Sequence, residues 1–205
     1  MHINIVLFQP EIPQNTGNIS RTCSVTGSTL HLVGPLGFSL DERHLRRAGL
    51  DYWVGLDIRR YPDTDAFFAQ HGTRRIWYFS QKGRLGLWDD DALAPDFSDT
   101  DSACASGSSG PCKAEFVTVG DAGDARDLSA VRGPQIWLAF GCESRGLDEK
   151  ILLAHPDTVV RIPMLEGMRS LNLSNAVAIA VYEVLRRTGG QGLLKTGRFP
   201  GRDNA

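Results

Sequence analysis

The amino-acid sequence predicts an α/β fold built on a largely parallel sheet flanked by helices, and two observations carry that prediction. Short β-branched or apolar runs alternate along the chain with stretches that have helical start and stop signals, the pattern of strand–helix–strand units. The longest apolar runs, residues 3–8 and 136–140, are of strand length, far below the roughly 18 residues that a membrane-spanning helix requires.

Strands are expected at residues 3–8, 30–33, 76–79, 136–140 and 159–162, each rich in Ile, Val, Leu or aromatic side chains. Residues 15–27 open with cap-type side chains and close on Gly27. Residues 41–48 are followed by Gly49, and residues 147–154 by Pro156, so each of the three reads as a helix. The last helix, residues 172–187, places Leu173, Val177, Ala180, Val181 and Val184 at i, i+4, i+7, i+8 and i+11, with Gly189-Gly190 after it. Such a stripe needs the sheet or a second subunit to pack against. Residues 1–188 are expected to form one domain and residues 189–205, which contain Gly, Pro, Lys and Arg, a mobile tail.

With 205 residues, 41% of them apolar, the chain can bury a core without disulfide staples. Its four cysteines (Cys23, Cys104, Cys112, Cys142) show no CxxC spacing and its five histidines no metal-ligand spacing, so neither a disulfide framework nor a metal site is expected. The start, Met1-His2-Ile3-Asn4, lacks the basic and apolar segments of a secretion signal. A cytoplasmic protein with no membrane span is expected.

The net charge of −2 conceals a division. Residues 85–130 carry ten acids and two bases, a charge of −8, which leaves +6 on the other 159 residues. Within that acidic region, residues 99–111 are nearly all Ser, Gly, Ala and Asp, a composition that buries too little apolar area to offset the entropy of ordering. Residues 85–130 are therefore expected to be a flexible acidic insertion in a basic body, and a basic body can bind a polyanion when its arginines share a face.

The residues after the strands exclude several common chemistries. The first strand runs into Gln9-Pro10-Glu11-Ile12-Pro13-Gln14-Asn15-Thr16-Gly17-Asn18, with neither a GxGxxG nor a P-loop, so a classical dinucleotide or nucleoside triphosphate site is not expected. Gly141-Cys142-Glu143-Ser144-Arg145-Gly146 has Cys142 where a nucleophile elbow needs its first glycine. Cys142 itself would act as a nucleophile only as a thiolate beside a base or cation, and the competing reading is a small residue packed under the loop.

Three segments remain: Asn15-Thr16-Gly17-Asn18-Ile19-Ser20-Arg21; Leu138-Ala139-Phe140-Gly141-Cys142-Glu143-Ser144-Arg145-Gly146-Leu147; and Arg161-Ile162-Pro163-Met164 through Arg169-Ser170-Leu171-Asn172-Leu173-Ser174-Asn175-Ala176. In this order they resemble the three motifs of the SpoU family of RNA 2′-O-ribose methyltransferases, which have the SPOUT fold. The resemblance spans roughly residues 1–84 and 132–188. Asn4-Ile5-Val6-Leu7 and Arg46-Arg47-Ala48-Gly49-Leu50-Asp51-Tyr52 most resemble the branch that acts on the wobble nucleotide of tRNA.

The resemblance implies a C-terminal trefoil knot, a rare exception to unknotted topology. It implies S-adenosylmethionine as methyl donor, held mostly by backbone groups of three loops that contain Phe79 and Ser80, Gly141, and Ile162 with Ser170 and Leu171. It implies methyl transfer to a ribose 2′-hydroxyl with Arg21 beside it, where a positive charge typically lowers a pKa by ~1–3 units. Whether Arg21 takes the proton, holds a phosphate or only stabilises charge is left open, since a guanidinium is a poor base. Ser170 and Asn172 are candidates to position Arg21 or the ribose, and Glu143 to orient Asn18 or cap the knot loop. For Asn18, Glu143 and Asn172 the alternative is ordinary helix capping or loop hydrogen bonding. RNA contact is expected from Arg43, Arg46, Arg47, Lys82 and Arg84, with Tyr52 and Trp53 available for stacking on bases of a tRNA anticodon stem-loop. A homodimer in which one subunit's Arg21 serves the other's cofactor completes the expectation. The rivals are the same chemistry on another tRNA position or on ribosomal RNA, a non-catalytic RNA-binding protein, and a Cys142-dependent hydrolase.

Overall fold

The structure, a computed structural model, describes residues 1–39, 56–95 and 134–197, together with the backbone of residues 115–116. Its strands are β1 (His2–Phe8), β2 (Thr29–Val33), β3 (Ile58–Tyr61), β4 (Ile76–Phe79), β5 (Leu85–Gly86), β6 (Glu115–Phe116), β7 (Gln135–Phe140) and β8 (Val159–Arg161). The α-helices among the described residues are α1 (Pro13–Thr26), α2 (Thr64–His71), α3 (Glu149–Ala154) and α4 (Leu173–Arg187). The strands form one sheet in the order β5-β8-β4-β7-β1-β2-β3-β6. Every pairing is parallel except that of β3 with β6.

Helices cover both faces, which explains why β1 is buried on both sides and runs Ile5-Val6-Leu7-Phe8 without a polar alternation. Its Ile3, Ile5 and Leu7 join Ile19 and Cys23 of α1 and the stripe Val177, Ala180, Val181 and Val184 of α4. Val6 and Phe8 point the other way, to Phe67 of α2 and Leu152 of α3. The α4 stripe thus packs on the sheet, each buried valine contributing roughly 1.5–3 kcal/mol relative to exposure.

All five expected strands form, with ends shifted by no more than one residue. The helix expected over 147–154 begins later, at Glu149, because Asp148 caps it by accepting from the Lys150 N–H at 2.9 Å. β3, β5, β6 and α2 are additions to the expected elements, β5 and β6 falling within the acidic region. β3 carries two arginines in four residues, and α2 is only eight residues long, started by the Asp63 carboxylate accepting from the Ala66 N–H at 2.8 Å.

The acidic region differs from expectation at its start. Leu85 opens β5, Leu87, Ala92 and Leu93 are buried in the core, and Trp77 Nε1 donates to the Ala94 carbonyl at 3.1 Å. Asp89, Asp90 and Asp91 stay exposed between these anchors, so the average composition concealed a folded segment. The Ser- and Gly-rich residues 99–111 and the helix expected at 41–48 lie outside the described residues. At the other end, Gly190 is buried after α4 and its carbonyl accepts from the Leu193 N–H at 3.2 Å. No helix among the described residues is long and apolar enough to cross a membrane.

Candidate active site

The site grows from an unusual passage of chain. β8 lies between β4 and β5 and runs parallel to both, so the five residues 80–84 that join β4 to β5 form a strap over β8. The approach is so close that a Cβ on Gly83 would lie 2.5 Å from the Val160 carbonyl carbon. Only glycine fits there. The strap is fastened by the Ser80 N–H donating to the Val160 carbonyl at 3.0 Å and by Arg161 Nη1 donating to the Gln81 carbonyl at 2.6 Å.

Beyond the C-terminal ends of β4, β7 and β8 opens a cavity of about 630 Å³. Three stretches wall it: residues 79–82, residues 140–147, and the segment from Ile162 to Leu173 that leads into α4. Phe79, Ser80, Gly141, Ile162, Ser170 and Leu171 all line it, so the structure brings together every residue expected to hold a cofactor. The Phe79 and Phe140 rings stack in its wall, centroids 4.6 Å apart and 12° from parallel. Gly141 begins a tight turn closed by the Gly146 N–H donating to the Cys142 carbonyl at 2.9 Å, with Gly146 at φ 73°. A Cβ at Gly141 would lie 2.0 Å from the Gly146 carbonyl carbon, so a side chain there would force the turn out of this conformation.

A chain of polar groups ties these walls to α1, whose N-terminus has no side-chain cap of its own. The Glu143 carboxylate accepts from the Glu11 N–H at 2.8 Å, the Ile12 N–H at 3.2 Å and the Asn15 amide at 3.0 Å, placing negative charge at the positive end of the helix. Asn15 Oδ1 accepts from Asn172 Nδ2 at 2.9 Å, and Asn172 Oδ1 accepts from the Ser174 N–H at 2.9 Å and its hydroxyl at 2.7 Å, capping α4. Glu11 returns the clasp, accepting from the Ser144 hydroxyl at 2.8 Å and N–H at 3.0 Å. Those two bonds, helped by Arg145, hold the Glu11 carboxyl below its usual range.

The expected site residues divide between the cavity wall, the capping network and the outer face of α1. Glu143 orients Asn15, not Asn18, and caps α1; Asn172 spends its amide on Asn15 and on the α4 cap. Asn18 and Arg21 are exposed on α1 and do not line the cavity. Helix periodicity explains the difference: Asn15, Ile19 and Cys23 at i, i+4 and i+8 form the buried face, whereas Asn18 and Arg21 lie on the outer one. Asn15 was not among the expected site residues, although that spacing marks it as inward-facing. Lys82 lines the cavity and pairs with Glu149, and Arg84 is exposed. Arg43, Arg46, Arg47, Tyr52 and Trp53 lie outside the described residues. Cys142 is buried with its Sγ 3.8 Å from the Ser144 hydroxyl and 3.7 Å from the Gly146 carbonyl, the packed position beneath the turn. Among the described residues, no group of three or more His, Cys, Asp and Glu side chains is placed to hold a metal.

A doubly wound sheet with a ligand-sized cavity at its strand ends, walled by irregular loops, defines an α/β protein of the kind that takes a small molecule at that edge. Residues 2–182 match the SpoU rRNA methylase family. The chain is 41% identical over 187 residues to the tRNA (cytidine(34)-2′-O)-methyltransferase of Saccharophagus degradans, covering 91% of this chain and 96% of that protein. It is 38% identical over 194 residues to the enzyme of the same name from Aeromonas hydrophila, covering 94% and 99%. It also superposes, with a TM-score of 0.66 and 34% identity over 93% of this chain and 98% of the other, on a solved structure concerned with the 2-OH methylation of C/U34 on tRNA. The chain belongs to the SpoU family of RNA methylases.

Proposed function

We propose that the protein transfers a methyl group from S-adenosylmethionine to the ribose 2′-hydroxyl of the wobble nucleotide of tRNA, position 34, cytidine or a modified uridine, and that it does so as a cytoplasmic homodimer. The observation that carries this reading is the cavity at the ends of β4, β7 and β8, assembled from the motifs of an RNA methylase family. The cavity falls within the ~300–1,000 Å³ of small-molecule sites. Its aromatic pair Phe79–Phe140 offers apolar area, and the bare Gly141 lets a ligand ring approach the backbone closely. When bound, the cofactor supplies an electrophilic methyl group on a sulfonium. The strap over β8 supports the knotted path that the family resemblance implies.

The chain's own part is to hold and to polarise. Phe79, Ser80, Gly141, Ile162, Ser170 and Leu171 hold the donor, and the link from Glu143 through Asn15 to Asn172 keeps the walls in register with α1. Arg21 sits outside its own cavity, so in this reading it serves the cavity of the second subunit, with Asn18 three residues earlier on the same exposed side. There its guanidinium lowers the pKa of the 2′-hydroxyl, each unit being worth ~1.4 kcal/mol in the alkoxide population. Val25 of α1 and Ile179 and Tyr182 of α4 are exposed, apolar area that supports pairing of two chains. Lys82, Arg84, Arg43, Arg46 and Arg47 are assigned to phosphates of the anticodon stem-loop.

The test is incubation of the purified protein with methyl-labelled S-adenosylmethionine and tRNA from cells lacking the gene. Label confined to the ribose of nucleotide 34 is the expected outcome. Label at another tRNA position, or only in a ribosomal RNA control, would overturn the substrate, and no transfer to either would overturn the activity.

A further inference from the structure

The strap that walls the cavity is also held from a distance. Arg187, in the last turn of α4, uses four N–H donors at once. Its Nη2 donates to the Leu87 carbonyl at 2.6 Å, its Nη1 to the carbonyls of Asp89 at 3.0 Å and Ala92 at 2.7 Å, and its Nε to Glu183 Oε1 at 2.7 Å. The side chain is 20% exposed, so these bonds are largely shielded from water. Glu183 is fixed in turn by Arg186, through Nε at 2.9 Å and Nη2 at 2.8 Å, and these bonds hold its carboxyl well below the usual range.

The segment so gripped is the continuation of the strap. Residues 80–84 leave β4 along the cavity, cross β8 and enter β5, and the Leu87 N–H donates to the Arg161 carbonyl at 2.9 Å. Leu87 and Leu93 plug into the core on either side of the gripped carbonyls. Without the guanidinium, the Leu87 and Ala92 carbonyls would lose this donor, the Asp89 carbonyl would keep only the Ala92 N–H at 3.1 Å, and the exit of the strap would lose its anchor. α4 therefore meets the cavity twice: directly at its N-terminal end, where Leu173 and Ala176 line it, and through the strap at its C-terminal end.

We propose that Arg187 is a positioning residue for cofactor binding, a clamp on residues 87–92 that holds the strap wall formed by Ser80, Gln81 and Lys82 in its ligand-accepting position. The proposal rests on the assignment of the cavity to S-adenosylmethionine. Because it requires one planar fork reaching three carbonyls and a carboxylate, lysine cannot replace it. The effect belongs to binding rather than to the chemical step, since Arg187 does not line the cavity and acts on it only through the strap.

The experiment titrates the full chain with S-adenosylmethionine by calorimetry and follows amide hydrogen exchange, for wild type, Arg187→Lys and Arg187→Gln. Expected is a rise in Kd of about tenfold in both variants, the scale of losing charge-assisted hydrogen bonds. Faster exchange is expected over residues 80–93 with the amides around Val181 still protected, and kcat at saturating donor should stay within about twofold of wild type. Unchanged Kd and unchanged protection of the strap would overturn the clamp, even if the melting temperature fell. Should both variants fail to fold, Glu183→Gln removes the charge that orients the guanidinium. A raised Kd there supports the clamp and an unchanged one overturns it. Absence of donor binding by wild type would instead overturn the cofactor assignment and take the clamp with it.

Discussion

Asn15 carries more of the site than its exposed neighbours do, because its amide joins Glu143 on one wall of the cavity to Asn172 on another. Asn15→Ala leaves a carboxylate and an amide without this partner, at ~1–3 kcal/mol each. A fall in melting temperature of several degrees is expected by calorimetry, together with weaker donor binding. Gly141→Ala puts a Cβ 2.0 Å from backbone, so donor binding should drop at least 100-fold by titration while circular dichroism still reports a folded chain. On the far side of the sheet a different polar chain is buried. Asn4 gives its amide N–H to Gln135, so its Oδ1 accepts from His31 Nε2; His31 Nδ1 then accepts from the Tyr61 hydroxyl, which accepts from His71 Nε2. Burial, with His71, Arg59 and His2 nearby, pushes His31 well below its usual pKa, and burial with Arg59 and Arg74 pushes His71 down to about 4. An unfolded histidine takes up its proton near pH 6.5, whereas these remain neutral in the fold. Their contribution to stability is therefore complete above about pH 6.5 and is lost as pH falls towards 4. Urea midpoints should be lower at pH 5 than at pH 7, and the difference should shrink in His71→Gln.

At the scale of elements, α1 divides its work between two faces. The face with Asn15, Ile19 and Cys23 is committed to the core and to the cavity walls, which leaves Asn18 and Arg21 on the exposed side. Arg21→Ala should for that reason abolish methyl transfer while leaving donor affinity and oligomeric state near wild type; retained turnover in a filter assay would remove the assigned role. α2 is fastened differently, by Phe67, which is fully buried and meets Phe8 edge-on at 5.4 Å and Tyr61 at 5.2 Å. Phe67→Ala should cost ~3–5 kcal/mol in urea unfolding. These helices were legible to different degrees. α1 and α4 announce themselves by glycine stops and by periodic apolar residues, whereas α2 is too short to show a period and β3 sets two arginines between its apolar ends.

For the whole molecule, the separation of Arg21 from its own cavity makes the dimer part of the proposed site. Mixing inactive Arg21→Ala chains with inactive Gly141→Ala chains should restore activity, because half of randomly paired dimers combine one intact cavity with one intact Arg21. Recovery of about a quarter of wild-type activity is expected, and no recovery would place Arg21 in its own subunit's site. The acidic segment is the other feature at this scale. Deleting residues 99–111 should leave methyl transfer intact, since the anchors of that segment, Leu87 and Leu93, precede it in the core.

The strands β1, β2, β4, β7 and β8 and the helices α1 and α4 were readable from local pattern, whereas the membership of Phe79, Gly141, Ile162 and Ser170 in one site was readable only through the resemblance of the chain's motifs to a known family. The sequence by itself also determined the division into a basic body and an acidic segment. It did not determine that Glu143 turns to Asn15, that the acidic segment begins inside the core, or that Arg187 grips Leu87, Asp89 and Ala92 from 95 or more positions away. Those were decided by the tertiary structure, because a hydrogen-bond partner is set by where strand order and the strap over β8 bring distant backbone together, and neither periodicity nor composition encodes that meeting.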